Sequence, residues 1–424
     1  MMQPQYITIP ISELKPGMLV HSIAQQTGNL TVKHRGKIKH PSIIEKLIAS
    51  GVQRVVVERT KRASVESIQA LNDRKKTVSS LKPYLAVRSN ANQTVTPDIN
   101  GGKGKLLAKH YDAPATYAEE VEFAENLVKD LNEVFHYQRI NIEKGLDIDF
   151  KKIDVILEDV MHSLQRNSNA LLCVSMLRNG GEYLSNHAAH CAVLMCYFAD
   201  ALGLSYDDCK KLCQVGYLFD IGMTKIPKSV THKMDPPSLE EQLTIQSHVQ
   251  HSLDIVEPLH FDNQQRIAIE QHHERLDGTG YPYGLEGEQI DKYSRMLAIV
   301  DCFDAMTSHR PYQKAASPAA ALKVICNPDY GYDQKLAVKF LRAIGIYPAG
   351  SAVMLNNKKL AVVIRINRDQ PLKPVVRTIF SLKNMDYCAA EEFDLSETDQ
   401  QISIIKPVIP EHYGINLAKL DIVN

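Results

Sequence analysis

The chain has 424 residues, enough for two or three domains with separate cores. Its 49 lysines and arginines equal its 49 aspartates and glutamates, which removes the electrostatic footprint of a duplex-nucleic-acid binder. No apolar run reaches the ~18 residues of a membrane span, so no membrane insertion is expected, and the opening "MMQPQYITIPISELKPG" lacks the basic and apolar regions of a secretory signal. Eight cysteines without a CxxC pair fit the reduced setting of a cytoplasmic protein.

Taken in chain order, residues 1–60 read as a small α/β domain. "QYITIPISEL" and "VQRVVVE" are β-rich, and "PSIIEKLIASG" between them has helical spacing with a stop at Gly51. Residues 61–115 lose apolar density, and "RSNANQTVTPDINGGKGK" reads as a polar linker. Connecting helices are predicted over 116–164, where Ala124, Leu127, Val128, Leu131, Val134 and Phe135, then Ile153, Ile156, Leu157, Val160 and Leu164, recur at helical offsets. Helical character persists over 165–345. From 346 to 424 the period shortens to that of strands: "SAVML-NN-KKLAVVIRI" reads as a hairpin with an Asn-Asn turn, followed by "PVVRTIF" and "QISIIKPVI". The fold class expected is mainly α, a helical bundle preceded by a small α/β domain and followed by a short β extension.

Nine of the sixteen histidines crowd into this bundle, from His187 through His190, His232, His248, His251, His260, His272 and His273 to His309. In "SNHAAHCAVLMCYFADALG", Ser185 or Asn186 is the expected cap and Gly203 the stop, with His187 in the first turn. Taken alone, His187 reads as a capping or solvent-facing residue. "SYDDCKKLCQVGYLFDIG" runs from a Ser205 cap to a break at Gly222 and leaves Asp220 as the last charge on an apolar helix end. "SLEEQLTIQSHVQHSLDIV" opens with a Ser238–Glu241 capping box and sets His248 in its apolar stripe, where a buried imidazole needs a partner. "QHHERLDGTGYP" places adjacent His272 and His273 before a turn broken by Gly278, Gly280 and Pro282. "SRMLAIVDCFDAMTSHRPY" carries Asp301 and Asp304 on an otherwise apolar helix, where charge must be paired or metal-bound; a salt bridge to Arg295 or Arg310 is the plainer reading. Together His187, Asp220, His248, His272, His273 and Asp301 form a His/Asp set suited to divalent iron, manganese or zinc.

The order and wording of "FDIGMTKIP", "HHERLDGTGYPYGLEGEQI" and "MLAIVDCFDAMTSHRPY" resemble the HD-GYP family of metal-dependent phosphodiesterases, over about 165–345. The first 60 residues resemble the α/β domain that often precedes it. The resemblance implies an all-helical HD-type metal-binding bundle that hydrolyses a cyclic dinucleotide, cyclic di-GMP or 3′,3′-cyclic GMP-AMP, to a linear dinucleotide or mononucleotides. It implies His187 as first ligand, Asp220 as bridging and catalytic carboxylate, His248, His272 and His273 on the second metal, and Asp301 closing the first. It implies Arg310 facing the substrate phosphates, a role suited to a planar permanent charge. Gly280, Tyr281 and Pro282 would form the turn that contacts substrate and signalling proteins.

Three departures qualify this. The namesake histidine is Phe219, a lysine expected after Ile-Gly is Met223, and Tyr183 stands where some members place a glutamate for a third metal. One or two metals per chain are therefore expected, with a first site one ligand short and His190, one turn beyond His187, an unfavoured substitute. A weakened phosphodiesterase is the first reading. A catalytically inactive receptor or interaction module in bacterial cyclic-dinucleotide signalling is the alternative, and a mononucleotide phosphohydrolase is disfavoured by the GYP turn. A homodimer is compatible with the sequence.

Overall fold

The computed structural model describes residues 5–11, 14, 19–26, 36–37, 41–59, 114–177, 182–233, 235–308, 315–397, 401–415 and 417. Two compact units divide the chain at Ala70 and Leu71. All but the last two residues of the expected 61–115 linker lie outside the described residues.

In the first unit the β-branched runs become antiparallel strands β1 (Gln5–Pro10), β2 (Leu19–Gln26), β3 (Gly36–Lys37) and β4 (Val52–Arg59), in the order β1-β4-β2-β3. Helix α1 (Pro41–Ala49) ends before Gly51, whose φ of 79° lets the chain reverse into β4. Val20, Val52, Val55 and Leu14 form the core, with Ile44 and Leu47 of α1 packed on it.

Among the described residues the first helices of the second unit are α2 (Tyr117–Glu143) and α3 (Phe150–Leu177). Their predicted apolar positions are buried or half-buried, and a Thr116–Glu119 capping box starts α2. Asn167 breaks α3 at φ −157°, because its amide donates to Ala115 O (3.0 Å) and its carbonyl accepts from Ala170 N (3.3 Å).

The bundle continues with α4 (Tyr183–Ala201), α5 (Tyr206–Leu218), α6 (Lys228–Thr231), α7 (Leu239–Gln246), α8 (His248–Val256), α9 (Asn263–Gln271), α10 (Lys292–Thr307), α11 (Pro318–Ile325) and α12 (Gln334–Ile344). Two expectations need correction. Helix α4 starts after Glu182 rather than at Ser185 or Asn186, since the Ser185 hydroxyl donates back to Glu182 O (3.0 Å) inside the first turn. The helix expected across 238–256 is two helices meeting at Ser247. His248 Nδ1 sits 2.6 Å from Ile245 O, the carbonyl that a continuous helix would give to Val249.

Among the described residues six antiparallel strands follow: β5 (Ala352–Leu355), β6 (Lys359–Arg365), β7 (Val375–Ser381), β8 (Asp386–Tyr387), β9 (Glu392–Asp394) and β10 (Ile404–Pro407). Their order is β10-β5-β6-β7-β8, with β9 also on β7. The β5–β6 hairpin turns on Asn356, Asn357 and Lys358, the last at φ 62°, a three-residue loop ending in the left-handed region. The sheet is fixed to the bundle by Ile366 N donating to Asn169 Oδ1 (3.1 Å) and Arg368 Nη2 to the Tyr197 hydroxyl (3.0 Å). Among the described residues no helix is long and apolar enough to cross a membrane.

Candidate metal centre

Four helix ends and one central helix converge on a polar point inside this apolar bundle. Helix α5 stops at Leu218, and Asp220 follows at the head of a 3-10 turn. That turn lies against α8 because Gly222 has no side chain: a Cβ there would sit 2.1 Å from His248 O. Gly222 N also donates to Ser252 Oγ (2.9 Å), which fixes Asp220 beside His248.

His248 and His272 use one nitrogen on the backbone and aim the other inward. Nδ1 of His248 lies 2.6 Å from Ile245 O, and Nδ1 of His272 lies 2.6 Å from Ile269 O at the end of α9. Each satisfies a carbonyl that a helix terminus leaves without a partner. A carbonyl only accepts, so both Nδ1 atoms carry hydrogen, and in the neutral rings both Nε2 atoms present lone pairs. Those Nε2 atoms stand 3.4 Å apart, and His273 Nε2 stands 3.3 Å from that of His248. Asp220 Oδ1 completes the group at 3.1 Å from His248 Nε2 and 3.6 Å from His272 Nε2.

The other side of Asp220 faces His187 of α4 and Asp301 of α10. His187 Nε2 lies 3.5 Å from Asp220 Oδ2 and 3.4 Å from Asp301 Oδ1, and Asp301 Oδ2 lies 3.9 Å from His273 Nδ1. Every sequence-selected histidine and carboxylate of the set is therefore brought to one place. Arg310 lies outside the described residues.

The donor set fits a divalent cation. Facing imidazole lone pairs repel unless something positive lies between them, and ligand bonds of ~2.0–2.1 Å in a tetrahedron give edges of ~3.3–3.4 Å, the spacing seen here. His187 Nε2 and Asp220 Oδ1 are buried and make no hydrogen bond of acceptable geometry. All four ligand atoms of Asp220, His248, His272 and His273 fall within 4.8 Å of one another.

Protonation follows the same crowding. Burial alone would raise the Asp220 carboxyl, but the surrounding imidazoles, His248 foremost, hold it well below the ordinary carboxylate range. Burial opposes a charged His248, and the adjacent Asp220 carboxylate outweighs that and lifts it above the usual imidazole value. Burial and then His272 and His248 push His273 well below that value. A cation would replace the proton that pairs His248 with Asp220.

Phe219, where the resemblance calls for histidine, is fully buried. Its ring meets His187 edge-on at 5.4 Å between centroids and His272 at 5.0 Å, so it fills the junction of the two halves without offering a lone pair. Tyr183 stacks on His187 at 5.4 Å. Lys225 is exposed and reaches Ile142 O (3.4 Å). Asp304 pairs with His187 and His190, whereas Arg295 pairs with Glu288 and Asp333, so the plainer salt-bridge reading of the α10 carboxylates does not hold for Arg295.

The turn after His273 is held by residues the sequence reading did not single out. Buried Glu274 accepts from the backbone N–H groups of Tyr283 (2.7 Å), Gly284 (3.1 Å) and Leu285 (3.0 Å). Arg275 donates to Glu274 O (2.7 Å) and lies 4.6 Å from the centre of the Tyr332 ring. Gly280 passes so close to this segment that a Cβ would lie 2.3 Å from Glu274 Cα. Tyr281, joined to Pro282 by a cis peptide bond, stacks on His273 at 4.5 Å. A glutamate directly after two ligand-type histidines and before a glycine-rich turn was the available signal.

Residues 172–336 match the family described as an HD domain, residues 6–153 a domain of unknown function (DUF3391), and residues 352–416 a KOW domain associated with HD domain. The cyclic di-GMP phosphodiesterase PA4108 of Pseudomonas aeruginosa is 31% identical over 266 residues, 62% of this chain and 63% of that protein. The 3′3′-cGAMP-specific phosphodiesterase 1 of Vibrio cholerae is 37% identical over 153 residues, 35% of each chain. The chain thus spans less than two thirds of either relative. A solved HDG"Y"P protein from Bdellovibrio bacteriovorus aligns over 79% of this chain and 98% of its own with a TM-score of 0.42 and 15% identity.

Proposed function

We propose that this chain, whose residues 172–336 form an HD domain, is a metal-dependent phosphodiesterase acting in the cytoplasm on a cyclic dinucleotide, cyclic di-GMP or 3′,3′-cyclic GMP-AMP. The observation that carries the reading is the clustering of three imidazole Nε2 atoms and Asp220 Oδ1, with His248 Nε2 3.1–3.4 Å from each of the other three. The activities of the Pseudomonas and Vibrio relatives supply the substrate class.

In this reading Asp220, His248, His272 and His273 hold one cation, and His187, Asp220 and Asp301 hold a second. Bound iron, manganese or zinc supplies Lewis acidity toward a phosphodiester and toward the attacking water. The chain's own groups position and exclude. Asp220, shared by both halves, sets their separation. Phe219 keeps the floor dry, which strengthens every charge interaction above it. Glu274 holds the 281–285 turn over His273, and Arg310 is assigned to the phosphates.

Receptor behaviour without turnover is the second reading, favoured by Phe219 and Met223, which remove a ligand and a cation where the resemblance expects both. Incubating manganese- or iron-loaded protein with cyclic di-GMP and 3′,3′-cyclic GMP-AMP separates the two. Linear product supports the enzyme. Saturable binding without product supports the receptor, and neither binding nor product defeats both.

A further inference from the structure

We propose that Asp304 is a positioning residue that orients His187 toward the metal centre and turns His190 away from it. This rests on the reading that the centre holds metal. Asp304 lies one helical turn beyond Asp301 on α10 and is fully buried. Its Oδ2 stands 2.5 Å from His187 Nδ1, its Oδ1 is hydrogen-bonded to His190 Nδ1, and the Ser308 hydroxyl reaches Oδ2 at 3.1 Å.

An ionised carboxylate accepts and never donates, so both Nδ1 atoms must carry hydrogen. A neutral His187 is then left with a bare Nε2, and that atom is the one facing Asp220 and Asp301. A carboxylate on the far nitrogen of a ligating histidine fixes its tautomer and ring direction and raises its basicity. His190 sits on the same helix face, yet its Nδ1 is held by Asp304 and its ring borders a small apolar cavity with Leu172, Met176, Leu194 and Phe303. It therefore does not replace the ligand missing at Phe219.

Cys191 offers a rival account, in which His187, Cys191 and Asp304 form a buried metal group of their own. Cys191 Sγ does lie 3.7 Å from His187 Nδ1, but that nitrogen is engaged by Asp304. Burial also pushes the Cys191 thiol up to about 12, away from the thiolate a metal needs.

Two measurements on the full chain test the assignment. In metal-free protein with 15N-labelled histidine, imidazole nitrogen shifts should report Nδ1–H on both His187 and His190; a His187 whose only ring hydrogen is on Nε2 would overturn the proposal. Manganese titration against a competing chelator should then show Asp304→Asn weakening one of two ions by ~10–100-fold while the other stays bound. His190→Gln, which removes the partner not aimed at the centre, should leave both ions at wild-type affinity. Equal weakening in the two folded variants would make Asp304 a packing group and overturn the assignment, as would unchanged affinity in Asp304→Asn. If wild type takes up fewer than two ions, the nitrogen shifts alone decide, and no uptake at all would sink the catalytic reading instead.

Discussion

The two halves of the centre share Asp220 and differ in almost everything else. The His248–His272–His273 half presents three imidazoles, two of them held by helix carbonyls that a mutation elsewhere cannot easily remove. The His187–Asp301 half presents one imidazole and one carboxylate besides Asp220, and its imidazole is oriented by a side chain rather than by backbone. Phe219 stands at the boundary and packs on both. A ligand can thus be exchanged for a flat ring of similar size without opening a void, so the loss of one donor need not disturb the fold that holds the others. The expected consequence is unequal affinity, one cation held firmly and one weakly.

His272→Ala should break the stronger half and have the largest effect. It removes an inner donor and leaves Asp220 facing fewer imidazoles, so affinity for the firmly held ion should fall by more than the ~10–100-fold seen for outer partners. Metal analysis of purified variant and wild type measures this. An ion retained at wild-type stoichiometry would dismiss His272 as a ligand.

Phe219→His attacks the difference from the other side. It should supply the first half with a nitrogen and narrow the affinity gap by ~10-fold or more, comparable to restoring a metal partner. Repacking should cost about 1–2 kcal/mol of stability. Adding Met223→Lys would serve the same phosphates, so the pair need not add independently. A second ion that binds no better in Phe219→His than in wild type would refute the expectation that Phe219 stands in a ligand position.

Much of this contrast was legible in the sequence, for identifiable reasons. Ser205 and Ser238 accept the N-terminal helix N–H groups expected of them, and Gly203, at φ 70°, ends α4 where a left-handed residue was expected. The histidines and carboxylates of the centre were legible because charge on apolar helices has to be explained. The break at Ser247 was not, since it depends on His248 taking a carbonyl from the end of α7, a choice that only the assembled site makes. Strands β8 and β9 have two and three residues, too short for a period to show. Asp304 looked like an ion-pair partner for arginine because spacing along one helix says nothing about which imidazole another helix brings opposite.

Glu274→Gln sharpens the comparison within the stronger half, separating the turn from the ion beneath it. Glutamine keeps one accepting oxygen but points N–H groups at backbone donors that the carboxylate now satisfies. Losing hydrogen bonds to a charged acceptor costs about 1.5–3 kcal/mol each before relaxation. The 281–285 amides should therefore lose protection in hydrogen exchange while metal content stays at wild type. Loss of the ion together with the turn would show that Glu274 supports His273 as well.

The smallest effect belongs to a charged group distant from both halves. Glu158 of α3 accepts from Lys210 Nζ (2.5 Å) and the Tyr206 hydroxyl (2.6 Å), near the start of the helix whose other end leads to Asp220. Burial would raise the Glu158 carboxyl, but Lys210 and Tyr206 outweigh it and hold it below its ordinary value. A group depressed in the folded state stabilises above its unfolded pKa of ~4.3, and that contribution fades as pH falls through the folded value. Desolvation would lower Lys210, but Glu158 and Asp154 outweigh it and raise it, so its share persists below ~10.4 and is lost only as pH rises through the raised value. Glu158→Gln should therefore lower stability by ~0.2–1 kcal/mol at neutral pH, as exposed pairs do. Denaturant unfolding should show that difference shrinking as pH falls below ~4, where wild-type Glu158 becomes protonated as well. Neither ion should change affinity, because the contact steadies the start of α5 and not the turn that carries Asp220. A shift in either ion would mean that the two ends of α5 are coupled, and the contrast between the halves would then depend on more than their donors.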